Sequence, residues 1–133
     1  MTYLIDSDIV IDYLFAEPGA VTLVADLRRS GIAISVISYM EVLEGLAGGR
    51  PPQRASQGLR GFLRGTRVLV VSRRIAERSS VLRADLRRQK LQVNERALDL
   101  LIAVTAIDHG LILVIRNLRD YDDIPGMTLY RRS

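Results

Sequence analysis

Short apolar segments alternate with longer segments of helical periodicity along almost the whole chain, and this alternation restricts the possible folds most strongly. Five segments are predicted to be strands: Thr2–Ile5, Ile32–Val36, Val68–Val71, Leu111–Ile115 and Met127–Tyr130. Strands that alternate with helices pair in parallel and bury both faces of their sheet under helices. The sequence therefore predicts a three-layer α/β/α domain with a mostly parallel sheet of four to five strands.

The predicted helices lie between these strands and differ in how much of their surface is apolar. The first helix begins soon after Asp6, and the others are Ala20–Arg29, Tyr39–Leu46, Pro51–Leu63, Ile75–Gln89 and Ala97–His109. Gly48 and Gly49 follow the third helix as a stop signal. In Ile75–Gln89 the apolar positions recur at helical spacing, which indicates one buried face. Ala97–His109 is apolar on nearly all sides, so we expect that helix to be buried.

The composition limits the kinds of chemistry that the chain can support. The 133 residues include no Cys and a single His, His109, so thiolate sites and His-rich zinc sites are excluded. Any metal must be held by oxygen, which favours Mg²⁺ or Mn²⁺. No apolar run approaches the roughly 20 residues of a membrane span. Met1–Phe15 lacks the pattern of a signal peptide, and we expect a cytoplasmic location.

The charge is distributed unevenly around a formal net charge of +4. From Arg50 to Arg96 there are 13 Arg or Lys residues against three acids, whereas the remainder of the chain is acidic. On the Ile75–Gln89 helix the apolar stripe must face the core, so most of its Arg side chains must face water. Several of them are ordinary solvated charges, and a subset of them suits the phosphates of a polyanionic substrate such as RNA.

Three acids occupy positions where a purely structural role is not the only interpretation. Asp6 directly follows the first strand, and Glu41 lies near the start of the helix that follows the second strand. The alternative for Asp6 is a helix N-cap, and for Glu41 a favourable interaction with the helix dipole. Asp99 lies within the most apolar helix, where an unpaired carboxylate is costly; its alternative is a capped first turn that follows Asn94 or Glu95. We expect the three carboxyl groups to share one pocket, close enough to hold one or two ions that activate water for phosphodiester cleavage.

Two further polar residues, Asn117 and Asp120, follow the fourth strand and are also expected at the carboxyl edge of the sheet. Asn and Asp in such a loop are usually turn formers, which is the alternative for both. His109 precedes Gly110 at a predicted helix end, so a role in ending the helix is favoured over catalysis.

Four segments of the chain resemble, in order and spacing, the motifs of PIN-domain ribonucleases. They are Leu4–Asp8, Ile37–Val42, Ala97–Ala103 and Val114–Tyr121, and the ending Ile124–Gly126 fits as well. The closest similarity is to the VapC toxin branch of bacterial toxin–antitoxin systems. The resemblance implies one PIN-like nuclease domain over residues 1–133, RNA cleavage that depends on Mg²⁺ or Mn²⁺, a homodimer, and inhibition by a small VapB-like antitoxin.

The resemblance also assigns roles to individual residues. Asp6, Glu41 and Asp99 match the three core acids of the family, as catalytic residues and metal ligands. At the fourth position Asn117 matches a metal ligand, and Asp120 is the alternative source of the last charge, through water. Ile115 departs from the Thr or Ser that is common in the family, so a hydroxyl contact near the metal is lost.

Two other interpretations compete with a metal-dependent nuclease. Leu4–Val10 also resembles the start of haloacid-dehalogenase-type phosphatases, with Asp6 as the nucleophile and Asp8 as the general acid. That interpretation requires Ser72, Lys90 and a late acid pair such as Asp122 and Asp123, and it leaves Glu41 and Asp99 without a role. The third interpretation is an RNA-binding module with a degenerate site, for which Ile115 is the main support.

Overall fold

The computed structural model describes residues 1–49, 52–89, 91, 93 and 96–131. Five strands are present: β1 (Tyr3–Ile5), β2 (Ile32–Ser35), β3 (Thr66–Leu69), β4 (Ile112–Val114) and β5 (Thr128–Leu129). The helices are α1 (Ser7–Leu14), α2 (Pro18–Arg28), α3 (Val36–Ala47), α4 (Gln53–Leu63), α5 (Arg73–Arg88) and α6 (Ala97–Asp108), and a 3₁₀ turn spans Leu118–Asp120. Pro51 and Lys90, at predicted helix boundaries, lie outside the described residues, as do Arg50, Asn94 and Glu95.

All five strands join one parallel sheet in the order β3-β2-β1-β4-β5. The central strand β1 is paired on both sides, with Tyr3 opposite Ile32 of β2 and Ile112 of β4. Because every strand runs the same way, the carboxyl ends of β1, β2 and β4 meet at one edge. The predicted parallel α/β/α fold is confirmed, with five strands.

Successive residues of β1 serve opposite faces of the sheet, as the alternation of side chains in a strand requires. Leu4 belongs to a buried cluster with Leu86 of α5 and Leu100 of α6. Ile5 belongs to a second cluster, which contains residues of α1, α2 and α4 such as Phe62. The sheet therefore lies between a layer formed by α1, α2 and α4 and a layer formed by α5 and α6. No helix among the described residues is long and apolar enough to cross a membrane.

The helices α5 and α6 pack side by side and run antiparallel. Arg74 and Arg78, near the start of α5, each contact Asp108, the last residue of α6, at 2.7 Å. Farther along α5, Leu82 lines a small cavity with Val104 and Ile107 of α6. The carboxyl end of α5 therefore lies toward the amino end of α6, which carries Asp99.

The predicted boundaries differ from the observed ones by one or two residues at most elements, and the difference is largest at two of them. The helix α3 begins at Val36, directly after β2, whereas the sequence predicted a start at Tyr39. The strand β3 covers Thr66–Leu69 rather than Val68–Val71, because Thr66 is buried and donates a 2.6 Å hydrogen bond to the carbonyl of Phe62, whereas Val70 is exposed. The apolar helix α6 is also less buried than predicted, since Leu98 in its first turn is 41% exposed.

The junction between β2 and α3 contains no loop, so a single side chain controls how the helix begins. The Oγ of Ser35 accepts a hydrogen bond from the amide of Ser38 at 2.9 Å, and both serines are fully buried. A Ser at this position satisfies one amide of the first helical turn.

We predict that Ser35→Ala lowers the free energy of unfolding by about 1–2 kcal/mol, since it removes a buried cap. The matched control is Ser72→Ala at the start of α5, where Ser72 is partly exposed and accepts from the amide of Ile75 at 3.1 Å. That control should cost about 0.5–1 kcal/mol. Urea denaturation monitored by circular dichroism measures both. Equal losses would contradict a special role for the buried junction.

Candidate metal site at the carboxyl edge of the sheet

Asp6 lies directly after β1, at the N-cap position of α1, but its side chain does not cap that helix. Its Oδ1 instead accepts a hydrogen bond from Ser38 Oγ of α3 at 3.2 Å. The structural alternative for Asp6, an N-cap, therefore does not describe its side chain. Asp6 faces the junction between β2 and α3, where Ser35 Oγ also donates to Ser38 Oγ at 3.1 Å.

Glu41 faces the same region from the second turn of α3, because the helix begins at Val36. The prediction of a first-turn position was wrong by three residues, and a favourable interaction with the helix dipole fades beyond the first turn. Its Oε1 accepts a hydrogen bond from Ser7 Oγ of α1 at 3.1 Å. Ser7 thus holds one carboxylate oxygen of Glu41, and Ser38 holds one carboxylate oxygen of Asp6.

Asp99 is the third residue of α6 and lies in its first turn. Its carboxyl group interacts with the hydroxyl of Tyr121, a side chain that is only 3% exposed. Burial raises the pKa of Asp99 above its usual range, the Tyr121 hydroxyl opposes that rise, and repulsion from Asp120 adds to it. Asp99 is therefore partly desolvated and lies close to the loop that follows β4.

That loop brings Asn117 and Asp120 to the edge of the site, where both are exposed. Asn117 caps the 3₁₀ turn, and its Oδ1 accepts a hydrogen bond from the amide of Arg119 at 3.2 Å. Its Nδ2 donates to Asp120 Oδ1 at 3.3 Å. Asp120 also lines, with Asp99, a cavity of about 280 Å³. The turn-forming alternative thus describes Asn117 well and Asp120 less well.

The acids are coupled to one another by repulsion. Burial raises the pKa of Asp6 to about 7, with further contributions from the charges of Asp8 and Glu41. Burial also raises the pKa of Glu41, and repulsion from Asp99 is among the additional causes. Burial raises the pKa of the Tyr121 hydroxyl, and the charges of Asp6, Asp99 and Glu41 add to that rise, which places Tyr121 near all three acids. Through Glu41, which interacts with both of the others, the three acids share one region of negative potential at this edge.

The donor atoms of this region are carboxylate, amide and hydroxyl oxygens, which is the set that Mg²⁺ and Mn²⁺ prefer. Within the described ranges, however, no three acidic or His side chains are grouped closely enough to hold an ion as they stand. The sequence predicted a tighter grouping of these acids. Mutual repulsion among carboxylates favours wider spacing when no cation offsets it, so the residues fit the ion in chemistry while their side chains must close in around it.

Asp8 and Asp12 make their hydrogen bonds and ion pair with the loop after β4, although the charge of Asp8 also acts on Asp6 and Glu41. The amide of Arg116 donates to Asp8 Oδ2 at 3.4 Å, and the Arg116 guanidinium forms an ion pair with Asp12. Ile115, the departure from the family pattern, is 8% exposed and belongs to the same buried cluster as Tyr121. Its side chain therefore packs in the core.

The residues that a phosphatase would need have other roles in the structure. Ser72 caps α5, and Asp123 forms an ion pair with Arg96. Lys90 lies outside the described residues. His109 ends α6 as its C-cap residue, as predicted.

The sequence pattern alone assigned no separate role to Ser35 or Tyr121, and it included Ser7 and Ser38 only as parts of motifs. A Ser at the end of a strand that is followed by a helical segment is a recognisable N-cap signal. The hydroxyl of Tyr121 has no such local signal, because its contact with Asp99 joins segments that are distant in sequence.

Comparison with known proteins places this arrangement in a family. The chain is 28% identical over 127 residues to a tRNA(fMet)-specific endonuclease VapC of Shigella flexneri, and the match covers 96% of this chain and 95% of the relative. A VapBC2 structure from Rickettsia felis, bound to a DNA fragment from its promoter, superposes with a TM-score of 0.84 at 25% identity, over 98% of each chain. A toxin–antitoxin complex from Klebsiella pneumoniae matches at 31% identity with a TM-score of 0.71, over 96% of each chain.

The family model of the PIN domain matches residues 3–126, which include all four motifs and all five predicted site residues. This match confirms the resemblance seen in the sequence and leaves the phosphatase interpretation without support. The chain belongs to the PIN domain family.

Proposed function

We propose that the chain is a Mg²⁺- or Mn²⁺-dependent endoribonuclease, the toxin of a toxin–antitoxin pair, in which Asp6, Glu41 and Asp99 hold the ion. The observation that carries the proposal is the convergence of these three acids, each with a pKa raised by burial, at the carboxyl edge of the sheet. Such a cluster is self-repulsive without a cation and favourable with one. The relatives that are endonucleases by name support the choice of RNA.

Each residue of the site has a definable task in this proposal. The hydroxyls of Ser38 and Ser7 fix one oxygen each of Asp6 and Glu41 and leave the second oxygen of each carboxylate for the ion. The bound ion supplies Lewis acidity for phosphodiester hydrolysis. We assign the fourth position to Asp120 rather than Asn117, since the side-chain oxygen of Asn117 already accepts from an amide whereas Asp120 is charged and faces Asp99.

An arginine track on α5 offers a route for the RNA backbone. Arg73 pairs with Glu77, Arg74 and Arg78 pair with Asp108, and Arg88 pairs with Asp85. In the described part of the chain, Arg87 has no ion pair, and the buried Nε of Arg83 has no hydrogen-bond partner. Arg83 and Arg87 are neighbours at i,i+4, in the half of α5 that lies toward Asp99. Their charge offsets the repulsion that the acids impose on phosphate.

An antitoxin partner and a homodimer complete the proposal. The structural relative from Klebsiella pneumoniae is a toxin–antitoxin complex by name, and the relative from Rickettsia felis is a VapBC2 structure bound to DNA. On this chain, Met40 and Leu43 of α3 and Phe15 after α1 are each at least 40% exposed. This apolar surface, near Glu41, suits an amphipathic segment of a VapB-like antitoxin. An Arg of that segment would be attracted by the uncompensated acids.

The central test is Asp99→Asn, which keeps the shape of the side chain and removes its charge. We expect RNA cleavage to fall to the level measured without metal, whereas the metal-free fold stays intact or gains stability from reduced repulsion. Cleavage of a labelled RNA in Mg²⁺ or Mn²⁺, together with thermal unfolding in EDTA, measures both effects.

The matched control is Asp108→Asn at the opposite end of the same helix, which should retain cleavage. Full cleavage of RNA by Asp99→Asn would contradict the assignment of Asp99 as a residue that holds the ion. Mn²⁺ binding by the unsubstituted protein separates this proposal from the degenerate RNA-binding module, which should bind RNA and no ion.

Stability without metal should depend on pH through Asp6. The pKa of Asp6 is about 7 in the folded protein against an ordinary value of 3.8, so the folded state binds more protons than the unfolded state between these values. The contribution of Asp6 to stability in EDTA should therefore be complete at about pH 4 and below, and it should be lost as pH rises toward 7. Asp6→Asn should flatten that decline. A decline of equal slope in the variant would show that the pKa of Asp6 in the folded protein has its ordinary value.

The arginine track predicts the salt dependence of RNA binding. If about three phosphates are contacted, log K should fall with log salt at a slope near −2 for single strands. Replacing Arg83, Arg87 and Arg88 with Gln should weaken binding to all sequences and flatten the slope, with little change in cleavage at saturating RNA. The control with the same charge change is Gln at Arg73, Arg74 and Arg78. Equal behaviour of the two triple variants would rule out this route.

A further inference from the structure

Arg96 joins the start of α6 to the loop that follows β4. It occupies the N-cap position of α6, three residues before Asp99. Its Nη1 donates to Asp123 Oδ2 at 2.7 Å and its Nη2 donates to Asp123 Oδ1 at 2.9 Å, which is a two-pronged ion pair. The Nη2 also donates to the backbone carbonyl of Asp120 at 3.1 Å. One guanidinium thus holds two points of the loop.

The ion pair between Arg96 and Asp123 is well placed to fix the position of the loop that follows β4. The side chains of Arg96 and Asp123 are only 16% and 26% exposed, so water screens their attraction less than it screens a surface pair. The hydrogen bonds from Arg96 lower the pKa of Asp123, which keeps that carboxylate charged at any pH near neutrality. A planar guanidinium that binds a carboxylate with both prongs also fixes orientation, which a single ammonium contact does not.

The held loop carries the polar groups that face Asp99. Asp120 repels Asp99, and the buried Tyr121 interacts with the Asp99 carboxyl group through its hydroxyl. Arg96, Asp99, Asp120 and Asp123 all line the same cavity of about 280 Å³. The separation between Asp99 and Asp120 therefore depends on the contacts that Arg96 makes with this loop.

We propose that Arg96 and Asp123 are positioning residues of the metal site, which hold Asp120 and Tyr121 beside Asp99. The proposal rests on the proposed function, since it concerns the same acids. The charge of Arg96 also acts directly on Asp99 and opposes the rise of its pKa. Because Asp123 engages both prongs, the guanidinium is oriented toward the loop, and releasing it would let the cation compete with the metal for Asp99.

The test is Mn²⁺ binding measured by titration calorimetry without RNA, which reports on the site independently of turnover. We expect Asp123→Asn and Arg96→Gln each to weaken Mn²⁺ binding by about tenfold or more, as the loss of residues that orient metal ligands usually does. Asp123→Asn should be the more harmful, because it frees the Arg96 cation to compete for Asp99. Adding Arg96→Gln to it should recover part of the affinity.

Arg96→Lys provides a variant that keeps the charge and loses the two-pronged contact. It should resemble Arg96→Gln, because a single ammonium cannot reproduce that geometry. The control is Asp108→Asn, which breaks two ion pairs at the other end of α6 and should leave Mn²⁺ affinity within about twofold. Unfolding midpoints of all variants show whether a changed affinity comes from a general loss of stability.

Each outcome decides the proposal. Weaker Mn²⁺ binding in Asp123→Asn and Arg96→Lys, with normal binding in Asp108→Asn, would support it. Normal binding in the Arg96 and Asp123 variants would overturn it and leave the proposed function standing, provided that Asp99→Asn abolishes binding. If the unsubstituted protein binds no Mn²⁺, both proposals fail.

Discussion

Repulsion among partly buried carboxylates is the constraint around which the functional edge of this protein is organised. Asp6, Glu41 and Asp99 come from three different elements, and each meets the charge of another acid nearby. A parallel sheet brings the carboxyl ends of β1, β2 and β4 together at one edge and cannot spread these acids apart. The surrounding chain compensates locally with hydroxyl donors, and the net negative potential that remains attracts cations.

The hydroxyl donors explain how so much like charge is compatible with a stable fold. Ser35 caps α3 and bonds Ser38, which in turn donates to Asp6. The hydrogen bonds from Ser35 through Ser38 to Asp6 therefore start a helix, join it to the sheet and orient a site residue. Stability and function are not separable at this junction, because one hydrogen-bond chain serves both.

The fold could be predicted from the sequence, and the candidate acids could be proposed from it, because both depend on local patterns. Alternating strands and helices predict a parallel sheet, and Asp99 is conspicuous because it interrupts an apolar helix. The start of α3 was predicted three residues late, since a strand that runs directly into a helix leaves no turn residues to mark the boundary. The contacts of Arg96 with Asp123 and of Tyr121 with Asp99 could not be predicted, because they connect residues more than 20 positions apart and no periodicity links them.

The two sides of the site are attached to the core in different ways. Glu41 is connected to β2 by continuous helix and strand, so any insertion between Ser35 and Glu41 would rotate the carboxylate by about 100° per residue away from the site. Asp120 is held by side chains across a loop that contains Gly126 at a positive φ of 80°. An insertion before Glu41 would therefore move that carboxylate even if every other contact stayed intact. On the β4 side the chain could change in length without rotating a helix, so there the site depends on the contacts of Arg96 with Asp120 and Asp123 rather than on a fixed number of residues.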